Sequence, residues 1–412
     1  MTEKPKNTLW TRDFTIITLG TVVSMLGNAI SGFAISLLVL DYTGSTFLYA
    51  LYMVAYSLPK IVVPLVAGPY LDSYSRKKTI YVLDFISAAL YLGLYFLLSN
   101  DIFSYVPFLI LCVVIGSIDS IYEVAYESLY PTLVSEGNFT KAYSVSSLIY
   151  PFAAMMVPVA SYVYRTVGLA PLFAFNAVSF LIAAIFETRI RAEEEQIKGS
   201  PEKASFAYLR REFKLGMDYI MGEKGLLIIT AYFFCTMLLG SISNTLWLPF
   251  FNTMGTYGVQ LYTYVMAANV FGRLVGGLFH YRFKYKSSTK FTVAICVYAS
   301  ITILEGGFVF TPASVMMAMC FVSGCLAVNS YNIRIAATQS YVPNEYRARF
   351  NGTFMMICTV GSTIGNLIAG VLGEYFRNDF IIAGAQIINL FAVFFVMYRG
   401  REHVKLIYNR EV

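Results

Sequence analysis

Histidine is nearly absent: among 412 residues only His280 and His403 occur. Imidazole acid–base chemistry therefore has little to work with, and the chain also lacks a nucleotide-binding P-loop, an HExxH helix and a nucleophile elbow. These absences argue against an enzyme. Charge is scarce as well. Asp, Glu, Lys and Arg make up 13% of the chain, against about a quarter in soluble domains, which excludes an ordinary solvated globule. The cysteines (Cys112, Cys235, Cys296, Cys320, Cys325, Cys358) lie in apolar stretches with neither metal-ligand spacing nor an extracellular pair. They read as small packing residues, and no metal or other cofactor is expected. The only tryptophans, Trp10 and Trp247, fall at the ends of apolar windows and read as membrane-interface anchors.

What is abundant is apolar surface, with 57% hydrophobic residues. Windows of roughly 20 apolar residues, enough to cross a bilayer, recur twelve times: 14–40, 47–70, 79–98, 103–128, 141–164, 169–187, 225–250, 257–281, 289–309, 312–336, 348–373 and 379–398. The first is too long for a signal peptide and is followed by eleven more, so it is expected to be retained. Lys and Arg gather in alternate loops. One side holds Lys4, Lys6 and Arg12, the Arg76–Lys78 hairpin, the loops near 188–224 and 282–290, and the tail from Arg399; the other holds only Arg165 and Arg377. By the positive-inside rule both termini are cytoplasmic. The net charge of +6 is then a topology signal and an attraction to anionic inner-leaflet lipid, not a sign of nucleic-acid binding. The expectation is an all-α, multi-pass protein of the inner or plasma membrane, working as a monomer.

The longest polar stretch, 188–224, contains Glu193-Glu194-Glu195 and Gly199-Ser200-Pro201 and divides the windows six and six. The expected domains are a bundle over 1–187, a cytoplasmic linker over 188–224, and a second bundle with a short basic tail over 225–412. Within the linker, Phe206, Leu209, Phe213, Met217 and Ile220 recur at helical spacing opposite Arg210, Arg211 and Lys214. That is an amphipathic helix, either lying at the membrane surface or acting as a stiff connector. Two halves in one orientation suggest a parallel internal repeat. Gly276, His280 and Lys284 repeat the spacing of Gly68, Asp72 and Arg76, with the acid lost.

The hairpin between windows 2 and 3 reads Gly68-Pro-Tyr-Leu-Asp72-Ser-Tyr-Ser-Arg76-Lys77-Lys78. With twelve windows as six plus six and a central cytoplasmic loop, this G-x-x-x-D-x-x-x-R-K-K pattern resembles the major facilitator superfamily over nearly the whole chain. Asp84, and Tyr130-Pro-Thr-Leu-Val134 through Leu148, are similar to the macrolide-efflux and multidrug exporter branch. The resemblance implies the major facilitator fold, two six-helix bundles rocking about a central cavity in alternating access. It also implies that the hairpin latches the cytoplasmic side. Asp72 would face the start of window 11, near Arg349 to Gly352, where the helix dipole favours an anion; Arg76 would pair with Glu127. Alternatively Asp72 and Arg76 are topology and capping charges only.

Ionisable groups inside apolar windows cost about 2.5–3.5 kcal/mol each at a helix centre and need a reason to be there. In window 4, Asp119, Glu123 and Glu127 follow at i, i+4 and i+8, beside a parallel stripe of Tyr122, Tyr126 and Tyr130. Such a wall suits lipophilic and cationic ligands. The acids could also carry protons: burial favours the protonated carboxyl and a nearby cation the ionised one, so ligand binding can expel a proton. Lys60 lies near the depth of Asp119, either as its structural ion-pair partner or, left unpaired, as a site for an anion. Arg273, among Gly272, Gly276 and Gly277, reads as the only other deep cation, and Glu305 as a residue reaching the interface. Asn244, Asn269, Asn329, Asn332, Gln339 and Asn366 read as packing groups. Pro151 and Pro158 resemble a degraded form of the family's antiporter motif.

Three functions compete. The favoured one is proton-coupled export of lipophilic compounds, with Asp119, Glu123, Tyr122 and Tyr126 at the substrate and proton site and Gly68, Asp72, Arg76, Lys77, Asp84 and Glu127 gating. The second is transport of an anionic metabolite on Lys60 and Arg273. The third is a transport-dead receptor or assembly partner.

Overall fold

The computed structural model describes residues 8–63, 74–135, 138–192, 206–282 and 286–410. Every regular element among them is helical, as expected where no water is available to satisfy an open backbone. The chain divides into two compact units: Met1–Thr43 with Ala55–Ala204, and Gly44–Val54 with Ser205–Val412. Ten helical segments are long and apolar enough to cross a membrane. Many of their large apolar side chains, such as Val106, Ile110, Ile303 and Phe395, remain exposed. That is the surface lipid would cover.

In the first unit, α1 (Arg12–Thr43) is followed by the end of α2 (Thr46–Ser57), α3 (Arg76–Ser99), α4 (Tyr105–Leu129), α5 (Phe139–Ala154), α6 (Val157–Val167) and α7 (Ala170–Glu187). Ser75 caps α3, its Oγ accepting from Lys78 N at 3.3 Å. Window 5 is not one helix. It breaks at Met155 and Met156, just before Pro158 in the first turn of α6, where a missing N–H costs least. Helix α7 packs on both α1 and α3.

The second unit comprises α8 (Phe206–Gly222), α9 (Lys224–Asn252), α10 (Gly255–Arg282), α11 (Lys290–Gly307), α12 (Ala313–Tyr341), α13 (Asn344–Tyr375), α14 (Asn378–Ala392), a π-helical turn (Val393–Tyr398) and α15 (Arg401–Tyr408). Helix α10 fills window 8 but is not among the ten apolar segments, its polar and glycine residues lowering the mean hydropathy. The start of α2 belongs here: Glu374, at the end of α13, accepts from Phe47 N at 2.8 Å and from Ser45 Oγ. The C-terminal end of helix α8 packs on protein. Ile220 is buried in a cluster with Phe350 and Phe354, and Tyr219 stacks on Tyr346 at 4.7 Å.

Corresponding helix pairs pack in both units. The α1–α7 and α3–α7 pairs of the first match α9–α14 and α11–α14 of the second. Gly44 after α1 and Gly255 just after α9 both take positive φ, +61° and +65°. The same first connection turns through the left-handed region in each half, where only glycine is unstrained.

Sequence and structure part at Trp247. It is a core residue, 5% exposed, with its ring 5.0 Å from that of Phe308. A terminal position in a hydropathy window does not reveal that the helix runs on beyond it to Asn252.

Candidate functional site

In the first unit, close approach of two backbones creates the site around Asp119. A Cβ at Gly116 would strike the carbonyl oxygen of Tyr56, so glycine there lets α2 lie directly against α4. Tyr56 Oη then donates to Asp119 Oδ2 at 2.6 Å. Lys60 Nζ lies over the face of the same tyrosine, 4.7 Å from the ring centre. Lys60 and Asp119 thus share Tyr56 and make no direct ion pair; Lys60 itself is exposed. Tyr56 is the member the sequence did not disclose, because nothing in its spacing distinguishes it from the chain's other tyrosines.

Glu123 and Glu127 continue the stripe on exposed surface of this unit, whereas Asp119 is half-buried. The tyrosine stripe forms a ladder: Tyr122 and Tyr126 stack at 6.2 Å, and Tyr126 and Tyr130 lie 5.1 Å apart. Its ends leave the acidic face. Tyr130 Oη donates to Ala142 O at 2.7 Å, and Tyr122 Oη to Glu187 Oε1 at 3.4 Å.

Glu187 went unremarked in the sequence, because it ends a window and could pass for a solvated terminus. It is 1% exposed, as is Asp84 on α3, and the two carboxyls lie within hydrogen-bonding reach of each other. Arg76 donates to Ser128 O at 3.3 Å, next to Glu127, and Lys77 to Ala192 O at 2.8 Å. Gly68 and Asp72 lie outside the described residues.

The second unit handles its polar groups differently. A Cβ at Gly272 would strike Phe321 O, one at Gly276 Cys325 O, and one at Gly324 Asn269 O, so α10 and α12 touch backbone to backbone. Gly277 meets only Val328, at ordinary contact distance. Arg273 lies beside this seam, its Nε donating to Asn269 Oδ1 at 3.1 Å. Glu305 turns inward instead of reaching the interface. It accepts from Ser323 Oγ at 2.7 Å and Gln386 Nε2 at 3.5 Å, and Gln386 also donates to Ser243 Oγ at 3.1 Å. Arg273 is also not the only deep cation. Arg334 on α12 is 8% exposed, with its guanidinium 4.7 Å from the Phe354 ring centre and 5.2 Å from that of Phe233. Hydropathy hid it by ending window 10 just beyond it.

Among the described residues no group of three His, Cys, Asp or Glu side chains is placed to hold a metal ion. The described residues, all helical in their regular elements, with ten apolar spans and glycine-seamed packing, define a multi-pass membrane protein. The Major Facilitator Superfamily profile matches residues 17–366, and the chain belongs to that family. It is 25% identical to the uncharacterized MFS-type transporter YkuC of Bacillus subtilis, over 93% of this chain and 91% of that one. It is 24% identical to macrolide efflux protein A of Streptococcus pyogenes, over 92% and 94%. The inward-open xylose transporter XylE of E. coli shares the fold, with a TM-score of 0.68 and 14% identity over 96% of this chain and 99% of that one.

Proposed function

We propose that this transporter exports lipophilic compounds, cations among them, in exchange for protons. Twelve spans with cytoplasmic termini, arranged as bundles over 1–187 and 225–412 about the linker 188–224, would alternate access between the two faces. The observation that carries the reading is the Asp119 carboxylate, half-buried on a predicted span and held by Tyr56 at 2.6 Å. A carboxylate in that position binds a proton or a cationic ligand but resists holding both, since each supplies the same neutralising charge. The similarity to a macrolide efflux protein supports export. Glu123 and Tyr126 belong to the same proposed wall, with Tyr122 completing its ring surface while its hydroxyl turns to Glu187, and Gly68, Asp72, Arg76, Lys77, Asp84 and Glu127 belong to the cytoplasmic gate.

A second reading rests on Lys60, which is exposed and makes no direct ion pair with Asp119. Together with Arg273 it would bind an anionic metabolite.

Reconstitution in proteoliposomes separates the two. Under an imposed proton gradient, counterflow of a lipophilic dye cation and of a macrolide is expected in wild type and lost in Asp119→Asn/Glu123→Gln. Flux indifferent to the gradient and to both acids would reject proton-coupled export. Loss of flux in Lys60→Ala, with the acids dispensable, would favour the anion.

A further inference from the structure

At the basic end of the first unit, Asp84 and Glu187 are each 1% exposed, on helices α3 and α7 that pack together, and their carboxyls lie within hydrogen-bonding reach. Both Asp84 oxygens and Oε2 of Glu187 are buried without a donor from any other side chain or the backbone. Asp84 lies eight residues into α3, about 12 Å along the helix at ~1.5 Å per residue. Glu187 is the last residue of α7.

The site is built for this carboxyl. A Cβ on Gly20 of α1 would come within 2.8 Å of Glu187 Oε1, so the glycine leaves the space the acid occupies. Tyr122 of α4 brings its hydroxyl to the same oxygen at 3.4 Å. Asp119 of α4 acts on Asp84 as a like charge, and Thr21 of α1 and Tyr126 of α4, both neutral, lie against Tyr122. No Lys, Arg or His among the described residues forms an ion pair with either acid.

Two carboxylates in hydrogen-bonding reach cannot both stay ionised out of water. Their repulsion adds to the cost of desolvating each one. A single proton removes the repulsion and one of the two desolvation costs, and the neutral carboxyl then donates to the remaining carboxylate, as in the paired aspartates of acid proteases. We propose that Asp84 and Glu187 together bind one exchangeable proton, with Tyr122 positioning Glu187, and form a proton site of this transporter separate from Asp119 and Glu123. This rests on the proton-coupled reading for its use in transport, but not for its existence. The proton binds to one carboxylate oxygen and leaves to water at the nearby end of α7, and the pair titrates as a unit.

The test is infrared difference spectroscopy of the purified, lipid-reconstituted full-length protein, following the C=O stretch of protonated carboxyls through a pH titration in H₂O and D₂O. Wild type is expected to keep a deuterium-sensitive protonated-carboxyl band at neutral pH. That band is lost in Glu187→Gln and in Asp84→Asn, persists in Asp119→Asn, and moves in frequency in Tyr122→Phe. Tyr122→Phe keeps the ring and decides the matter if the acid variants fail to fold: a shifted band supports the site, and an unmoved one overturns it. A band insensitive to Asp84→Asn and Glu187→Gln, or removed by Asp119→Asn alone, also overturns it. Gradient-independent flux with the band intact would defeat the proton-coupled function and leave this site standing.

Discussion

The two units place polar groups at matching helix pairs but treat them in opposite ways. Between α3 and α7 the first unit sets a carboxyl against a carboxyl, Asp84 against Glu187. Between α11 and α14 the second sets the carboxyl of Glu305 against the amide of Gln386, with Ser323 completing its shell. Amides and hydroxyls keep their dipoles at any pH, whereas a carboxyl pair must change its proton count to change its charge. A repeat with equivalent packing can therefore assign titration to one copy and fixed hydrogen bonding to the other. The cations follow the same division. Lys60 lies over Tyr56 beside an acid, while Arg334 is held by the faces of Phe233 and Phe354.

The strongest test of this contrast exchanges acid for amide in each unit. Glu187→Gln is expected to change the pH dependence of flux, leaving the part due to Asp119, whereas Glu305→Gln preserves it, because the amide carbonyl still accepts from Ser323. Equal pH profiles for the two variants would dissolve the distinction. Next in size is packing. Gly365→Leu drives a side chain into Leu238 O on the α9–α13 seam and should cost ~1–3 kcal/mol or more, read as a drop in unfolding temperature. Gly240, where a Cβ would meet nothing within 4 Å, should accept alanine with unchanged or slightly raised stability.

In the second unit, Gln386→Leu leaves Glu305 and Ser243 each short of a partner and should destabilise by about 1–3 kcal/mol. Thermal unfolding in detergent checks this, and a neutral result would mean that water replaces the amide. The smallest expected effect is that of Tyr56→Phe, which removes the hydroxyl on Asp119 but keeps the ring under Lys60. About 1 kcal/mol of stability is at stake. The proton dependence of transport should move with Asp119 released, and an unmoved dependence would separate Asp119 from the proton.

Much of the architecture was legible because a bilayer restricts what a chain can do. Helices fill most of the described parts of the apolar windows, and ten helical segments are apolar enough to span, whereas the break in window 5, expected as one span, was missed. Hydropathy windows misled where the end of a helix had to be judged by position. Trp247 and Glu305 were assigned to the interface by location in a window, and both meet partners from other helices in the interior of their unit. Glu187 and Arg334 were overlooked for the same reason.

By itself the sequence determined the helical class, the recurrence of long apolar segments, the membership of the family and the presence of ionisable groups within those segments. Each follows from composition and local order, which hydrocarbon reads directly through desolvation. Only the tertiary structure decided which ionisable groups meet. Asp84 and Glu187 are 103 residues apart by their numbers, and Tyr56 and Asp119 are 63 apart. Their pairing depends on glycines such as Gly20 and Gly116, which set how closely two helices approach. That distance belongs to the packed pair and is not encoded in the periodicity of either helix alone.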